Sequence, residues 1–231
     1  MGLLFFFTSV LDLPLAHYFD LMRAYSRLSQ VLQSVSRRDP IWQQQLFLAN
    51  CVQHQLHQWT TAALLNQPVD LRLLAVRPTH ILFVDASAIG WGAIYFDLET
   101  GAFQQHQERW SLTETFDVHL SAWAEPEAAW RAACRFVRPI GGDRVHIVTD
   151  STTTASMLQW HYSPSYIVNG ITRRFTSTFG THRFTGQHIP GTLHPSDSLS
   201  RFLPSFVTSD SLRRVMVEGG IYVGSPLWAA E

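Results

Sequence analysis

The chain has few of the residues that mark a secreted or a metal-thiolate protein. Only two of its 231 residues are cysteines, Cys51 and Cys134, and neither has a metal-ligand spacing to the other or to a histidine. Two cysteines also do not make a disulfide framework. We therefore expect a protein of a reducing, intracellular compartment, either cytoplasmic or nuclear.

Long apolar runs are also lacking at the start of the chain. The apolar stretch 2–10 lacks a positively charged beginning and is soon interrupted by Asp12. It resembles neither a signal peptide nor a membrane span, which needs about 20 residues. The myristoylation pattern fails too, because Phe6 stands where serine or threonine is required. We expect a buried helix or strand here and no membrane partner.

Charge is scarce, and lysine is absent. Charged residues make up 15% of the chain, all 17 basic residues are arginine, and the net charge is −1. This balance lacks the basic excess of many nucleic-acid binders. Codon bias in a GC-rich genome explains the missing lysine; alternatively, arginines such as Arg173, Arg174 and Arg183 bind phosphates through their planar guanidinium groups. The hydrophobic content of 46% predicts a globular chain with a real core.

The first third of the chain has the periodicity of helices. Apolar residues recur at helical spacing from 21 to 32, and a second run with an apolar stripe extends from 41 to 65. We predict two or more amphipathic helices within 11–75.

From residue 78 onward the pattern changes to that of a mixed α/β domain. The apolar run 81–84 suits a strand buried on both faces, and a turn at 88–90 leads to further strands at 91–96 and 103–110, which favours three antiparallel strands. An alanine-rich helix is predicted over 124–137, with Pro126 near its start, where a missing N–H costs little. The remaining predicted elements are a strand at 145–148, a helix to about 160, a helix over 166–178, a strand over 182–189 and a capped helix starting in 195–201. Residues 205–231 carry no firm signal.

Four acidic residues stand at the boundaries of these elements: Asp85, Glu125, Asp150 and Asp197. Any one of them alone is typical of a turn or a helix cap. Asp85 and Asp150, however, each end a buried strand, so their carboxylates emerge at one sheet edge if the strands are neighbours. Glu125 begins the helix between them.

Carboxylates at close range repel one another, and a divalent cation removes that repulsion. Hard oxygen ligands without nearby cysteine or histidine suit Mg²⁺ or Mn²⁺ better than zinc. Two such ions about 3.5–4 Å apart are the arrangement that cleaves phosphodiesters. The sequence therefore predicts a metal centre at these four residues.

The chain resembles the ribonuclease H family, in particular the domain that follows the reverse transcriptase of retroelements. The resemblance covers about half of the chain and four motifs in order, with the carboxylates 40, 25 and 47 positions apart. The motifs are Val84-Asp85-Ala86-Ser87 with Gly90-Trp91-Gly92-Ala93, Ala124-Glu125-Pro126-Glu127-Ala128-Ala129, Val148-Thr149-Asp150-Ser151, and His188-Ile189-Pro190-Gly191 with Pro195-Ser196-Asp197-Ser198-Leu199-Ser200-Arg201.

The resemblance implies a five-stranded mixed sheet, three strands antiparallel and two parallel, flanked by helices and preceded by an N-terminal helical segment. It implies cleavage of the RNA strand of RNA/DNA hybrids by two Mg²⁺ or Mn²⁺ ions on Asp85, Glu125, Asp150 and Asp197. The domain is expected at 78–204, after a segment (1–77) similar to a thumb or connection region and before a C-terminal tail (205–231). Other parts of a retroelement polyprotein would be its partners.

Three assignments within the resemblance have rivals. Glu127 competes with Glu125 for the helix carboxylate, and only one can face the metals because two positions along a helix turn a side chain by about 200°. Cellular members of the family place a histidine just after the last strand's glycine, but Thr192 stands there, and His194 two positions later is expected to be a solvated loop residue. Trp91, Trp123 and Trp160 either belong to the core or line the hybrid-binding surface.

Two other functions share the fold. An integrase or transposase uses the same chemistry, but its glutamate comes last, whereas the glutamate here lies between the first two aspartates. The other is a catalytically inactive, retroelement-derived interaction domain. Retention of all four carboxylates argues against that reading, because unpaired buried charge is destabilising.

Overall fold

The computed structural model describes residues 13–35, 47–65, 77–111, 121–181 and 183–221. The chain divides into two compact units, 1–70 and 71–231. The apolar stretch 2–10 lies outside the described residues. None of the helices in the described parts of the chain has both the length and the apolar character to cross a bilayer.

The first unit contains the helices predicted for the N-terminal third. A 3₁₀ turn, Leu15–Tyr18, leads into α1 (Phe19–Gln33), and α2 follows at Asn50–Leu65. Gln55 on α2 joins the two helices: its Oε1 accepts from the backbone N–H of Leu21 at 2.9 Å, and its Nε2 donates to Asp20 at 3.0 Å. The predicted N-terminal helical segment is therefore confirmed.

The second unit is built on a five-stranded sheet. Its strands are β1 (His80–Ala86), β2 (Gly90–Asp97), β3 (Phe103–Arg109), β4 (Val145–Thr149) and β5 (Phe184–His188), in the spatial order β3-β2-β1-β4-β5. β1–β3 pair antiparallel, whereas β4 lies parallel to both β1 and β5. This is the mixed sheet of the predicted ribonuclease H-like fold class, which is confirmed.

Helices cover both faces of the sheet. On one face α3 (Ser121–Phe136), α4 (Thr152–Trp160) and α5 (Tyr166–Phe179) pack against Leu82 and Val84 of β1. On the other, α6 (Asp197–Ser200) and α7 (Ser209–Glu218) pack near Ile81 and Phe83. All four β1 residues are fully buried, as expected of a strand with a core on each side.

The start of α3 differs from the prediction. The helix begins at Ser121 rather than Ala124, so Pro126 lies inside it, beyond the first turn. A proline at this position cannot donate to the carbonyl four residues back, so one helical hydrogen bond is missing. The expectation that Pro126 costs little was therefore wrong. The three earlier residues carry no distinct start signal, which is why the prediction began at the alanine run.

Helix α7 lies where the sequence analysis assigns no element. Thr208 caps it in a reciprocal arrangement with Ser211, and its Leu212 and Met216 are buried against the sheet. The signal is weak in the sequence because serine replaces the glutamate or glutamine of the usual capping box. The ten-residue helix also has only two buried apolar residues, which is too few for a clear helical periodicity in the sequence.

Gly92 on β2 lets the backbone of α6 lie directly on the sheet. A Cβ atom there would stand 2.5 Å from Leu199 Cβ and 2.6 Å from the backbone N of Ser200. We expect Gly92→Ala to lower the free energy of unfolding by about 1–3 kcal/mol, the usual cost of overpacking, measured by urea denaturation. Gly142→Ala is the control, because a Cβ at Gly142 meets nothing within 4 Å. Equal stability of the two variants would contradict this contact.

Candidate metal centre

Three of the four predicted carboxylates lie together at one edge of the sheet. Asp85 is near the end of β1, Asp150 follows β4 directly, and Glu125 reaches over from α3. One carboxylate oxygen from each lies within 4.8 Å of the others. Because β1 and β4 are parallel neighbours, their carboxyl ends coincide, and this places Asp85 beside Asp150.

Glu125 is held in place by the end of β1. Its Oε1 accepts from the backbone N–H of Ala86 at 3.0 Å, whereas its buried Oε2 has no hydrogen-bond partner among the described residues. Burial raises the pKa of Glu125 well above its ordinary value, and the carboxylates of Asp85 and Asp150 raise it further, while the Ala86 N–H and the Thr149 hydroxyl oppose the rise. A buried acceptor without a donor is unfavourable, and a bound cation would satisfy it.

Asp85 is also buried, with a side chain fixed by α6. It is 3% exposed, and its Oδ2 accepts from the Ser200 hydroxyl. Burial raises the pKa of Asp85 to about 6, and Asp150 and Asp197 add to the rise, while the Ser200 hydroxyl and Arg201 oppose it. Without a cation, Asp85 therefore gains a proton more readily than an ordinary aspartate.

The rival glutamate lies elsewhere. Glu127 forms ion pairs with Arg131, whose Nε is 3.1 Å from Oε1, and with Arg174 on α5. The offset of two helical positions directs it away from the sheet edge, so of the two glutamates the structure brings Glu125 to the other carboxylates.

Asp197 is close to the three carboxylates without joining them. Among the described residues the group within 4.8 Å contains only Asp85, Glu125 and Asp150. Asp197 begins α6, its side chain is 42% exposed, and its Oδ1 accepts from Arg201 Nε at 2.9 Å. It is near enough to raise the pKa of Asp85. A fourth ligand from Asp197 would require its carboxylate to move closer to the other three.

His194 differs from the expectation of a solvated loop residue, which was wrong. It is 5% exposed, and its Nε2 lies 3.1 Å from the carbonyl oxygen of Val148 on β4. The 3₁₀ turn Gly191–Leu193 precedes it and directs the ring into the protein. Burial lowers the pKa of His194 and so favours its neutral imidazole, although the Val148 carbonyl and the carboxylates of Asp150 and Asp197 act the other way. Nothing local in the sequence predicts this, because the partner of His194 is 46 positions away.

The sequence did not predict that Ser200 and Gly191 contact carboxylates of the centre. Ser200 belongs to the Leu199-Ser200-Arg201 motif, which assigned it no role. Gly191 lies against Asp150, because a Cβ atom there would stand 2.9 Å from Asp150 Oδ2. Only the position of Gly191 after the last strand pointed to such a close approach.

Some of the tryptophans and arginines that could either pack in the core or bind a nucleic acid are buried or paired, and others are exposed. Trp91 is 1% exposed and belongs to the core, Trp123 is half-buried, and Trp160 is 64% exposed. Arg174 pairs with Glu127, and Arg183 donates to the backbone carbonyls of Arg138, Pro139 and Asp143. These two arginines have structural partners, whereas Arg173 is exposed.

The chemistry of the centre fits a hard divalent cation. Its candidate ligand atoms are carboxylate oxygens, and its charges are close and partly buried. Oε2 of Glu125 accepts no hydrogen bond from the described residues. Mg²⁺ and Mn²⁺ prefer such oxygen ligands. Asp85, Glu125 and Asp150 are the residues that would hold the first ion.

No family model matches this sequence, and no curated protein matches it. Among solved structures the chain is similar to the N-terminal RNase H domain of a Mycobacterium tuberculosis protein, solved as a fusion with maltose-binding protein (11% identity, TM-score 0.37, 54% of this chain and 97% of that one). It is also similar to LC11-RNase H1, solved in complex with an RNA/DNA hybrid (17%, 0.37, 54% and 94%). A third is RNase H1 from the halophilic archaeon Halobacterium salinarum (14%, 0.35, 58% and 96%). What defines the fold of this chain is the strand order and register of its own sheet.

Proposed function

We propose that this protein cleaves the RNA strand of RNA/DNA hybrids with two divalent cations, Mg²⁺ or Mn²⁺, held by Asp85, Glu125, Asp150 and Asp197. The observation that carries the proposal is the meeting of Asp85, Glu125 and Asp150 within 4.8 Å at the carboxyl ends of two parallel strands. These residues are 40 and 25 positions apart in the sequence, so the fold alone brings them together.

The electrostatics of the centre support a role in binding cations. The raised pKa values of Asp85 and Glu125 show that each carboxylate is destabilised in its charged form by burial and by its neighbours. A protein gains no stability from such an arrangement unless a ligand compensates the charge. Divalent ions bound here would lower the pKa of a bound water and stabilise the leaving oxygen of a phosphodiester.

The protein's own residues orient the centre. The Ala86 N–H fixes one oxygen of Glu125, and the Ser200 hydroxyl fixes one oxygen of Asp85. Asp197 lies on the outer, more exposed side, where it meets Arg201. Asp85 is thus the buried member of the site, and the side chain of Asp197 is 42% exposed.

We infer the substrate, an RNA/DNA hybrid, and the origin, a retroelement, from the resemblance of the sequence motifs. Hybrids are recognised through a wide minor groove and the 2′-hydroxyls of the RNA strand. The segments 188–191 and 195–201 resemble the ending of retroelement domains, and residues 1–77 would be the segment that joins a reverse transcriptase to its nuclease. We place the nuclease domain at 78–204 and add α7, because Leu212 and Met216 complete its core.

The direct test is cleavage of an end-labelled RNA/DNA hybrid in Mg²⁺ or Mn²⁺, beside matched RNA/RNA and DNA/DNA duplexes. We expect metal-dependent scission of the RNA strand of the hybrid only. Cleavage of DNA in its place would favour the integrase or transposase function. An intact hybrid in both metals would favour the inactive interaction domain.

The two glutamates of α3 provide a matched pair of variants. We expect Glu125→Gln to reduce hybrid cleavage at least about a hundredfold, beyond the 10–100-fold effect typical of outer-shell partners of a metal. Glu127→Gln should cleave at a rate close to that of the unmodified protein, because Glu127 contacts only Arg131 and Arg174 among the pairs described. The two variants are compared by their initial rates of cleavage at a saturating concentration of hybrid. A larger loss in Glu127→Gln would reverse the assignment.

A further inference from the structure

Helix α6 is a single turn that carries two groups of the centre. Its first residue is Asp197 and its last is Ser200, which is fully buried. The Ser200 hydroxyl contacts the Asp85 carboxylate at Oδ2 and lies 3.0 Å from the backbone carbonyl oxygen of Asp197. The Ser200 side chain therefore connects the Asp85 carboxylate on β1 to the helical turn that carries Asp197.

The backbone of Ser200 is held from two directions. Its carbonyl oxygen accepts from the Ser87 hydroxyl at 2.7 Å, just after β1. Its N atom lies so close to β2 that a Cβ on Gly92 would stand 2.6 Å from it. The backbone from which the Ser200 hydroxyl projects is thus held by the residue after β1 and by β2.

Ser196 makes a comparable bond that does not involve a carboxylate. It is also fully buried, and its hydroxyl donates to the backbone carbonyl of Phe83 at 3.1 Å. The two serines share the same segment, the same burial and the same side chain. They differ in the acceptor, which is a neutral carbonyl for Ser196 and a candidate metal ligand for Ser200.

We propose that Ser200 is a positioning residue of the metal centre, whose hydroxyl fixes the Asp85 carboxylate and couples it to the turn that carries Asp197. Its catalytic consequence rests on the proposed function, but its effect on cation binding does not. Without the hydroxyl, Oδ2 of Asp85 loses its donor inside the protein, and the carboxylate can rotate away from Glu125 and Asp150. A cation would then meet ligands that must be reoriented before they bind.

The test compares Mn²⁺ binding to the full chain and to Ser200→Ala and Ser196→Ala variants, by electron paramagnetic resonance of the free ion. We expect Ser200→Ala to weaken Mn²⁺ binding about 10–100-fold, the range of outer-shell partners. Ser196→Ala should stay within about threefold, since it loses only a hydrogen bond to a neutral backbone carbonyl and none to a carboxylate. Equal affinities of the two variants, or unchanged binding by Ser200→Ala, would overturn the proposal.

A further variant separates the hydroxyl from packing. Ser200→Cys fills slightly more space than serine with a weak donor, so it should bind Mn²⁺ as weakly as Ser200→Ala, and it replaces that variant if the alanine chain does not fold. Tight Mn²⁺ binding by Ser200→Cys would count against the role of the hydroxyl.

Cleavage assays on the same proteins distinguish this inference from the proposed function. If the unmodified chain binds Mn²⁺ and leaves the hybrid intact, the nuclease function fails while the difference between Ser200→Ala and Ser196→Ala still supports the positioning role. If it cleaves the hybrid and the two variants bind Mn²⁺ alike, the positioning role fails alone. A chain that binds no Mn²⁺ would overturn both.

Discussion

Asp150→Asn is expected to lose RNA-strand cleavage by at least about a hundredfold while retaining its fold. The variant replaces a candidate carboxylate ligand by a neutral amide next to Asp85 and Glu125, and Mg²⁺ and Mn²⁺ bind amide oxygens more weakly than carboxylates. The effect should exceed the 10–100-fold loss caused by an outer-shell partner. Rates with a labelled RNA/DNA hybrid at saturating Mg²⁺, together with circular dichroism, measure both properties.

Asp143→Asn is a suitable control because Asp143 lies two positions before β4, at the end of the strand opposite Asp150. It should cleave the hybrid at an unchanged rate. Cleavage by Asp150→Asn at the rate of this control would remove Asp150 from the centre. Loss of cleavage in both variants would indicate that a change near β4 acts through the fold.

Asp85→Asn should make the metal-free protein more stable, although it removes a candidate metal ligand. The pKa of Asp85 rises from 3.8 to about 6, which corresponds to about 3 kcal/mol of destabilisation of the charged form in the folded state. The asparagine removes this charge and can still accept from the Ser200 hydroxyl. Urea denaturation at pH 8 in a chelator should therefore give the variant a free energy of unfolding about 2–3 kcal/mol above that of the unmodified chain.

The pH dependence of this difference has a defined sign. Between about pH 4 and 6 the folded state holds a proton on Asp85 that the unfolded state has released, so the free energy of unfolding falls as pH rises through this window. The advantage of Asp85→Asn should be absent below pH 4 and complete above pH 6. Saturating Mn²⁺ should reverse the order, because it stabilises only a chain that binds it.

Asp97→Asn provides a control of opposite sign. Although partial burial acts the other way, hydrogen bonds from the Thr100 hydroxyl and from the backbone of Glu99 and Thr100 hold the pKa of Asp97 below its ordinary value. Its charged form thus stabilises the fold, and the asparagine variant should be less stable at pH 8 than at pH 3 relative to the unmodified chain. A loss of stability in metal-free Asp85→Asn at pH 8 would show that the Asp85 charge is compensated within the chain.

Much of the fold could be predicted because its signals are local. The run 81–84 could be predicted as a doubly buried strand, and the helices after Asp150 and Ser165 could be predicted from their capping residues and periodicity. Helix α7 could not, since its ten residues present only two core positions and an unusual cap. The first turn of α3 was missed because the alanine run offers no sharper boundary.

The sequence singled out the candidate carboxylates, but it did not predict their environment. Asp85, Glu125 and Asp150 stood out because each marks the boundary of a predicted element. A helical turn permits Asp197 to pair with Arg201, four positions on, but Arg201 is only one of several partners that the sequence offers Asp197. The burial of His194 and the contact from Ser200 to Asp85 depend on partners 46 and 115 positions away, beyond any local pattern.

By itself, the sequence determined most of the segments that become strands and helices and which acidic residues stand at their ends, because those properties depend on neighbours within a few positions. Only the tertiary structure decided that β1 and β4 lie side by side, that Glu125 rather than Glu127 turns to their edge, and that Ser200 meets Asp85. These contacts join residues far apart in the chain, and they form only when both faces of the sheet are packed. The charge repulsion that makes the site a candidate for cations is therefore a property of the folded chain.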